Sequence, residues 1–290
     1  MTLPVSKHRL RSSAFIRKDE SEKVDPKRMI FLSVEGDHTE RTYFEHLNDH
    51  LDNSIIRIEV LRHRRGDGYS DPKYVIELLA EYINVRDGEL IPSDLPPEFT
   101  AKYSKDILQK YLDNSTDLNR GQRKAIENDL LLIGIDLDYR RYLQSYNNDT
   151  DVFAVVLDRD CGNHSRELMV ECVQKCSNAG YGCYVSNPCF EFWLLLHLSN
   201  VKEEFNEEQQ KELFENQKVS GSHTKTSCEV SARARHGKIV SKHAFDTYYF
   251  PNIQKAILRA RDFASAFPEL YDHLGSNLPE LLYTLGFDAE

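Results

Sequence analysis

Two runs of apolar residues end in acid. Met29-Ile30-Phe31-Leu32-Ser33-Val34 leads into Glu35-Gly36, and Phe153-Ala154-Val155-Val156-Leu157 leads into Asp158-Arg159-Asp160. Runs of this length bounded by polar turn residues predict strands of a parallel sheet buried on both faces. After the first turn, Asp37-His38-Thr39-Glu40 offers capping residues, and Tyr43, Phe44, Leu47 and Leu51 recur at helical spacing. Residues 54–61 alternate and predict a second strand, broken by residues 66–69; Asp71-Pro72 then opens a helix carrying Val75, Ile76, Leu79 and Tyr82, with proline at the favoured first position. Residues 87–150 leave this rhythm. They carry Pro92, Pro96 and Pro97, then Tyr103, Ile107, Leu108 and Tyr111 at helical spacing, which predicts a helical insertion.

The alternation resumes at Phe153. A helix is expected over residues 165–177, stopped by Gly180, then a strand over 181–185 and an apolar helix over 189–198 that Asn187-Pro188 begins. Beyond Val201 the pattern is polar and helical, with helices near 207–216, 253–267 and 279–285, and a mobile loop over 219–241. The organisation that follows is a polar arm over 1–27, an α/β domain of mostly parallel strands flanked by helices over 28–200, and a helical extension over 201–290.

Composition narrows the function classes. No apolar stretch is long enough to span a bilayer and no secretion signal precedes the fold, so a cytoplasmic protein without a membrane partner is expected, with its six cysteines reduced. The formal charge of −10 excludes a uniformly basic nucleic-acid coat and leaves local patches. One such run is Arg57, Arg62, His63, Arg64 and Arg65; the other is Arg233, Arg235, His236, Lys238, Lys242 and His243. Arg64, Arg65, Arg159, Lys225, Arg235 and Lys238 are the candidates for gripping substrate phosphates, although solvated faces are the commoner fate of such residues.

Carboxylates at the carboxyl ends of parallel strands stand where such sheets bind ligands. Three Asp-x-Asp pairs occur, at Asp136 and Asp138, Asp149 and Asp151, and Asp158 and Asp160, and only the last ends a clean strand followed by a helix and another strand. Spacing of two along a strand would point both aspartates to one side. Glu35, Asp158 and Asp160 form an oxygen-only set suited to magnesium, which can polarise a phosphoryl oxygen and activate a water; Glu35 could instead act as general base. The bland reading is that these acids cap helices. Cys161 and His164 have a metal-like spacing without partners at recognisable offsets, His197 suits a packed histidine, and Trp193 suits the core.

Val34-Glu35-Gly36 with Thr39-Glu40 and Tyr43-Phe44, then Leu157-Asp158-Arg159-Asp160, then Asn187-Pro188-Cys189-Phe190-Glu191-Phe192-Trp193-Leu194-Leu195-Leu196-His197 together resemble the RloB-like family of the Toprim superfamily, over about residues 28–200 with a looser echo at 256–260. The resemblance implies a Toprim (Rossmann-like) fold and a metal-dependent nuclease in antiphage or abortive-infection defence. Its site would use Glu35, Asp158 and Asp160 with Mg2+, or Mn2+ in its place, and Glu191 within the family-like stretch would assist. It further implies nucleic acid, RNA or DNA with transfer RNA as one target, and a separately encoded ATPase as partners; a homo-oligomer is compatible with it. No Gly-x4-Gly-Lys-Ser/Thr sequence is present, so nucleotide control would have to come from that partner. The competing reading is a non-catalytic Toprim-like module that binds nucleic acid or couples the ATPase to another effector.

Overall fold

The computed structural model describes residues 28–36, 38–53, 55–61, 71–87, 97–112, 116–132, 150–221, 223–234 and 239–288. The polar arm, Arg62, His63, Arg64, Arg65, Asp136, Asp138, Asp149, Arg235, His236 and Lys238 lie outside the described residues.

In chain order the first half runs β1 (Arg28–Val34), α1 (Thr39–Asp49), β2 (Ile56–Val60) and α2 (Pro72–Asp87). The insertion follows as α3 (Pro97–Lys102), α4 (Lys105–Leu112) and α5 (Arg120–Leu132). The second half runs β3 (Val152–Asp158), α6 (Arg166–Ala179), β4 (Gly182–Asn187), α7 (Phe190–Leu198), α8 (Val201–Glu204) and α9 (Glu207–Glu215). It closes with β5 (Lys218–Ser220), β6 (His223–Thr224), α10 (Lys225–Ala234), α11 (Ile253–Ala260), β7 (Gly275–Ser276) and α12 (Leu278–Thr284).

The main sheet has the order β2-β1-β3-β4-β7, parallel except for the last pair. Alternation along the strands sorts side chains to two faces. Ile30, Leu32, Val34, Ala154 and Val156 meet α1, α7, α10, α11 and α12 on one side. On the other, Met29, Phe31, Val155 and Leu157 meet α2 and α6. The result is a Rossmann-like helix-sheet-helix sandwich, the α/β class expected from the apolar runs. The insertion has a small core of its own, in which Phe99, Leu108, Tyr111, Leu118, Ile126 and Leu130 are buried.

At the centre of the first face lies α7. Phe190, Phe192, Trp193, Leu194, Leu195, Leu196 and His197 are all buried, and a helix that is apolar all round must be enclosed on all sides. Much of that enclosure comes from residues after 200, which are therefore part of the main core rather than an appended extension. Arg259 of α11 donates to the carbonyls of Leu196 and His197 at 2.7 and 3.1 Å, capping the helix at its negative end. His197 is packed inside: its Nδ1 donates to the Trp193 carbonyl at 3.0 Å and its Nε2 faces the Tyr43 hydroxyl at 3.2 Å. Burial pulls its pKa down to about 3, so the ring is neutral.

Two expectations are corrected by this second half. The stretch 219–241 is not one loop, because Lys218–Ser220 and His223–Thr224 pair as a hairpin around Gly221 and α10 follows directly. Its buried face is Thr226, Ser227, Val230 and Ala234, too small and polar to register as a hydrophobic stripe. The helix expected over 253–267 ends at Ala260, since Ala264 leaves the helical path to bridge Gly275. Beyond the expected strands, and compatible with a mostly parallel sheet, β7 adds an antiparallel edge, secured by Asn277, whose side chain accepts from Val185 N–H at 2.6 Å and donates to the Cys183 carbonyl at 3.0 Å.

Gly275 is required where this edge closes. A Cβ there would lie 1.9 Å from the Ala264 carbonyl oxygen, a backbone atom that cannot step aside. Gly275→Ala is expected to lower stability by about 1–3 kcal/mol, read as a shift in the denaturant midpoint. An unchanged midpoint would show that β7 does not contribute to the cooperative unit.

Candidate active site

The strand order reverses between β1 and β3, since the chain leaves β1 for β2 on one side and β3 for β4 on the other. Such switch points open a crevice beyond the strands' carboxyl ends, and both acidic turns emerge there. Glu35 follows β1 and its N–H donates to the Val156 carbonyl at 3.1 Å, continuing the pairing of β1 with β3. Asp158 is the last residue of β3, and its N–H donates to Glu35 Oε2 at 3.1 Å. Asp158 Oδ1 in turn accepts from Phe190 N–H at 2.8 Å, at the positive end of α7.

Around this pair stand further acids. Glu40, in the first turn of α1, is buried, and its carboxylate folds over Gly36, where an added Cβ would sit 1.9 Å from Glu40 Oε2. Glycine at 36 leaves room for that carboxylate; because its neighbour is the tip of a flexible side chain, alanine would displace Glu40 rather than disrupt the turn. Glu191, in the first turn of α7, acts electrostatically on Asp158. Asp160 acts in the same way on Glu35.

Burial pushes the Glu35 carboxyl well above the usual carboxylate range; the Asp158 N–H opposes this, while Glu40, Asp160 and Asp71 add to it. Burial does the same to Asp158, reinforced by Glu40, Glu35 and Glu191 and opposed by Phe190 N–H. Among the described residues no Lys or Arg pairs with either group. His164 Nε2 is 3.8 Å from Glu35 Oε1, and its Nδ1 is 3.3 Å from the Asp158 carbonyl oxygen.

Several expectations need correction. Asp160 is not a second inward-pointing strand residue. It lies past the end of β3 in a left-handed turn at φ 33, with its N–H donating to the Pro188 carbonyl and its Oδ2 accepting from Asn163 Nδ2 at 2.6 Å. Strand alternation therefore does not set its direction. Arg159 is buried, donating from Nε to the Tyr271 carbonyl at 2.8 Å and from Nη1 to the His164 carbonyl at 2.7 Å, so those donors anchor the acidic turn instead of facing a phosphate. Lys225 is ion-paired with Glu212 at 2.9 Å and Glu229 at 3.5 Å. Arg233 is likewise paired with Glu229. Cys161 and His164 do not act together, because the Cys161 thiol lies 3.9 Å from Asn187 Oδ1 while His164 turns to Glu35.

Glu40 and His164 are the site neighbours that the acidic-turn reading did not single out. Glu40 carried a usable signal, a carboxylate in the first turn of the helix that leaves the Glu35 turn; His164 carried only its metal-like spacing from Cys161, which does not point to Glu35.

Among the described residues, no group of three or more His, Cys, Asp or Glu side chains is arranged to hold a metal ion. The donor chemistry fits a hard divalent cation nonetheless: the side chains are oxygen ligands, and among the described residues no Lys or Arg pairs with the two part-buried carboxylates. Glu35 and Asp158, with Asp160, Glu40 and Glu191 around them, are the residues that could hold one after side-chain rotation.

Fold and site together define an α/β protein with an acidic centre at the switch point of its sheet. The model of the RloB-like protein family matches residues 30–285, and the chain belongs to that family. Comparison with curated proteins and with solved structures gives no match. No helix among the described residues is long and apolar enough to cross a membrane.

The raised carboxyls make stability depend on pH in a definite sense. Below the ordinary values of 4.5 for Glu35 and 3.8 for Asp158 both states hold their protons and no penalty exists. As pH rises, the unfolded chain releases protons that the folded chain retains, so stability falls until the raised values are passed. Glu35→Gln and Asp158→Asn, which keep acceptor oxygens for the two N–H groups, should therefore raise Tm in EDTA. The gain should be larger at about pH 8 than at about pH 5. Equal gains at both values would contradict the raised-carboxyl assignment.

Proposed function

We propose that this protein is a Toprim-type, metal-dependent phosphodiesterase acting on nucleic acid. The observation that carries the reading is the part-buried Glu35–Asp158 pair at the sheet's switch point, surrounded by Glu40, Asp160 and Glu191 and without a Lys or Arg partner among the described residues. Carboxylates concentrated in this way repel one another, and a divalent cation would relieve that repulsion, which supports a functional role beside the capping one. Glu35 and Asp158 would hold Mg2+ or Mn2+, with Asp160 completing the set and Glu191 or Glu40 assisting. The cation supplies electrophilic polarisation of a phosphoryl oxygen and lowers the pKa of water.

The chain's own residues would do the remaining work. Phe190 N–H fixes one Asp158 oxygen and Asp158 N–H fixes one Glu35 oxygen, leaving the second oxygen of each to turn toward a ligand. In the alternative role, as general base instead of metal holder, Glu35 would take a proton from an attacking water, its carboxyl being held above the usual carboxylate range by burial. The Arg159 clamp keeps the Asp160 turn in place beside them. Role and partners follow the family resemblance: an effector in antiphage defence with transfer RNA among its targets, governed by a separately encoded ATPase. One observation favours the rival, non-catalytic module. Both carboxylates are already tied to backbone N–H groups and could act as structural clamps.

Incubation of the purified chain with transfer RNA and with plasmid DNA, with Mg2+ or with EDTA, separates the two readings. Cleavage is expected only with the divalent ion, and Asp158→Asn should reduce it by more than about 100-fold, beyond the range typical of outer-shell metal partners. Cleavage that survives both EDTA and Asp158→Asn would overturn the metal reading, and the absence of cleavage with an intact, nucleic-acid-binding protein would favour the module.

A further inference from the structure

His164 stands at the acidic centre, yet the proposed reaction gives it no task. It closes the turn after β3: its N–H donates to the Asp160 carbonyl at 2.8 Å, and its own carbonyl accepts from Arg159 Nη1 at 2.7 Å. The next residue, Ser165, caps α6. The ring is anchored as well. Nδ1 lies 3.3 Å from the Asp158 carbonyl oxygen, which can only accept, so Nδ1 carries the proton and the neutral ring keeps a lone pair on Nε2.

With the backbone and Nδ1 committed, Nε2 is the free polar atom of a residue only 8 % exposed, and it faces Glu35 Oε1 at 3.8 Å. That oxygen is the one left open by Asp158 N–H, which holds Oε2. The separation is too long for a hydrogen bond. It lies within the span of two ligands on one ion, each about 2.1 Å from it. Metal-binding histidines hold their second ring nitrogen on a carbonyl or carboxylate, which fixes the direction and tautomer of the ring, and His164 is held in this way.

We infer that His164 is a nitrogen ligand of this centre and makes it selective for first-row transition ions over Mg2+. The inference rests on the metal reading proposed above and specifies it. Glu35 Oε1 and His164 Nε2 supply two donors, and Asp158 supplies a third through the oxygen that Phe190 N–H does not hold, once its side chain turns. Mg2+ prefers oxygen ligands and dehydrates reluctantly, so an imidazole adds little to its binding. Transition ions bind imidazole well, with affinity rising from Mn2+ toward Cu2+. Mn2+, the weakest binder of that series, is therefore the stringent probe.

The test uses the full chain, stripped with EDTA and titrated with Mn2+ with and without competing Mg2+, the free Mn2+ being read by electron paramagnetic resonance. Pulsed measurement on the Mn2+-loaded wild-type chain should show coupling to an imidazole nitrogen. His164→Asn keeps a donor for the Asp158 carbonyl but has no Nε2. It should abolish the coupling and lower the ratio of Mn2+ to Mg2+ affinity about 10–100-fold. Asp158→Asn should weaken the binding of both ions. Mn2+ bound by the wild-type chain without nitrogen coupling, and still weakened by Asp158→Asn, would overturn the nitrogen ligand and leave the metal reading standing; this outcome does not depend on the folding of His164→Asn. Coupling that persists in folded His164→Asn would also overturn it. Binding of neither ion to the wild-type chain would overturn both.

Discussion

The structure turns on the hydrogen bond between the Asp158 carboxylate and the Phe190 N–H. It joins the last residue of a central strand to the first turn of a helix that has almost no exposed surface. Everything that encloses this helix also fixes where its positive end points. Packing across the sandwich, including α10 and α11 far along the chain, is thereby converted into the placement of one carboxylate oxygen. The polar chemistry at the sheet edge is thus supported by the apolar core beneath it, and a disturbance of the core would be felt at the site even without contact.

Beside this ordered scaffold the electrostatics are unsatisfied. Glu35, Glu40, Asp158, Asp160 and Glu191 crowd one edge of the molecule, with desolvation and mutual repulsion acting together on the two innermost. A chain selected for stability alone would replace these acids with neutral acceptors of the same shape. Keeping them ionisable stores unfavourable free energy at one place. Arg159 does not relieve it, because its charge is spent on carbonyls in the turn and in the segment at Tyr271.

What the amino-acid sequence disclosed, and what it hid, follows the range over which each feature is encoded. β1, β3 and α7 are contiguous apolar runs, and the acids that end them are therefore legible as neighbours of a sheet edge. Asp160 was misread because a single left-handed residue breaks strand alternation without changing composition. The inward turn of Arg159 depends on carbonyls at His164 and Tyr271, one of them far away in sequence, and a basic residue beside two aspartates looks like a ligand clamp until that is known. His164 reaches Glu35 through the folding of its turn, not through a motif. α10 and β7 were missed for different reasons: the first buries small polar residues, and the second is only two residues long and finds its partner from the far end of the chain.

The edge strand carries a consequence for how the molecule comes into being. Asn277 reaches back 92 residues to Val185, Val240 reaches 198 residues to Thr42, and Tyr43 meets His197 over 154. Contacts so distant along the chain are slow to form, because loop closure must precede their reward. During synthesis the carboxylate-bearing turns emerge long before the segments that enclose α7. A growing chain can therefore display the acids without the geometry, and the assembled centre is a property of the finished polypeptide alone.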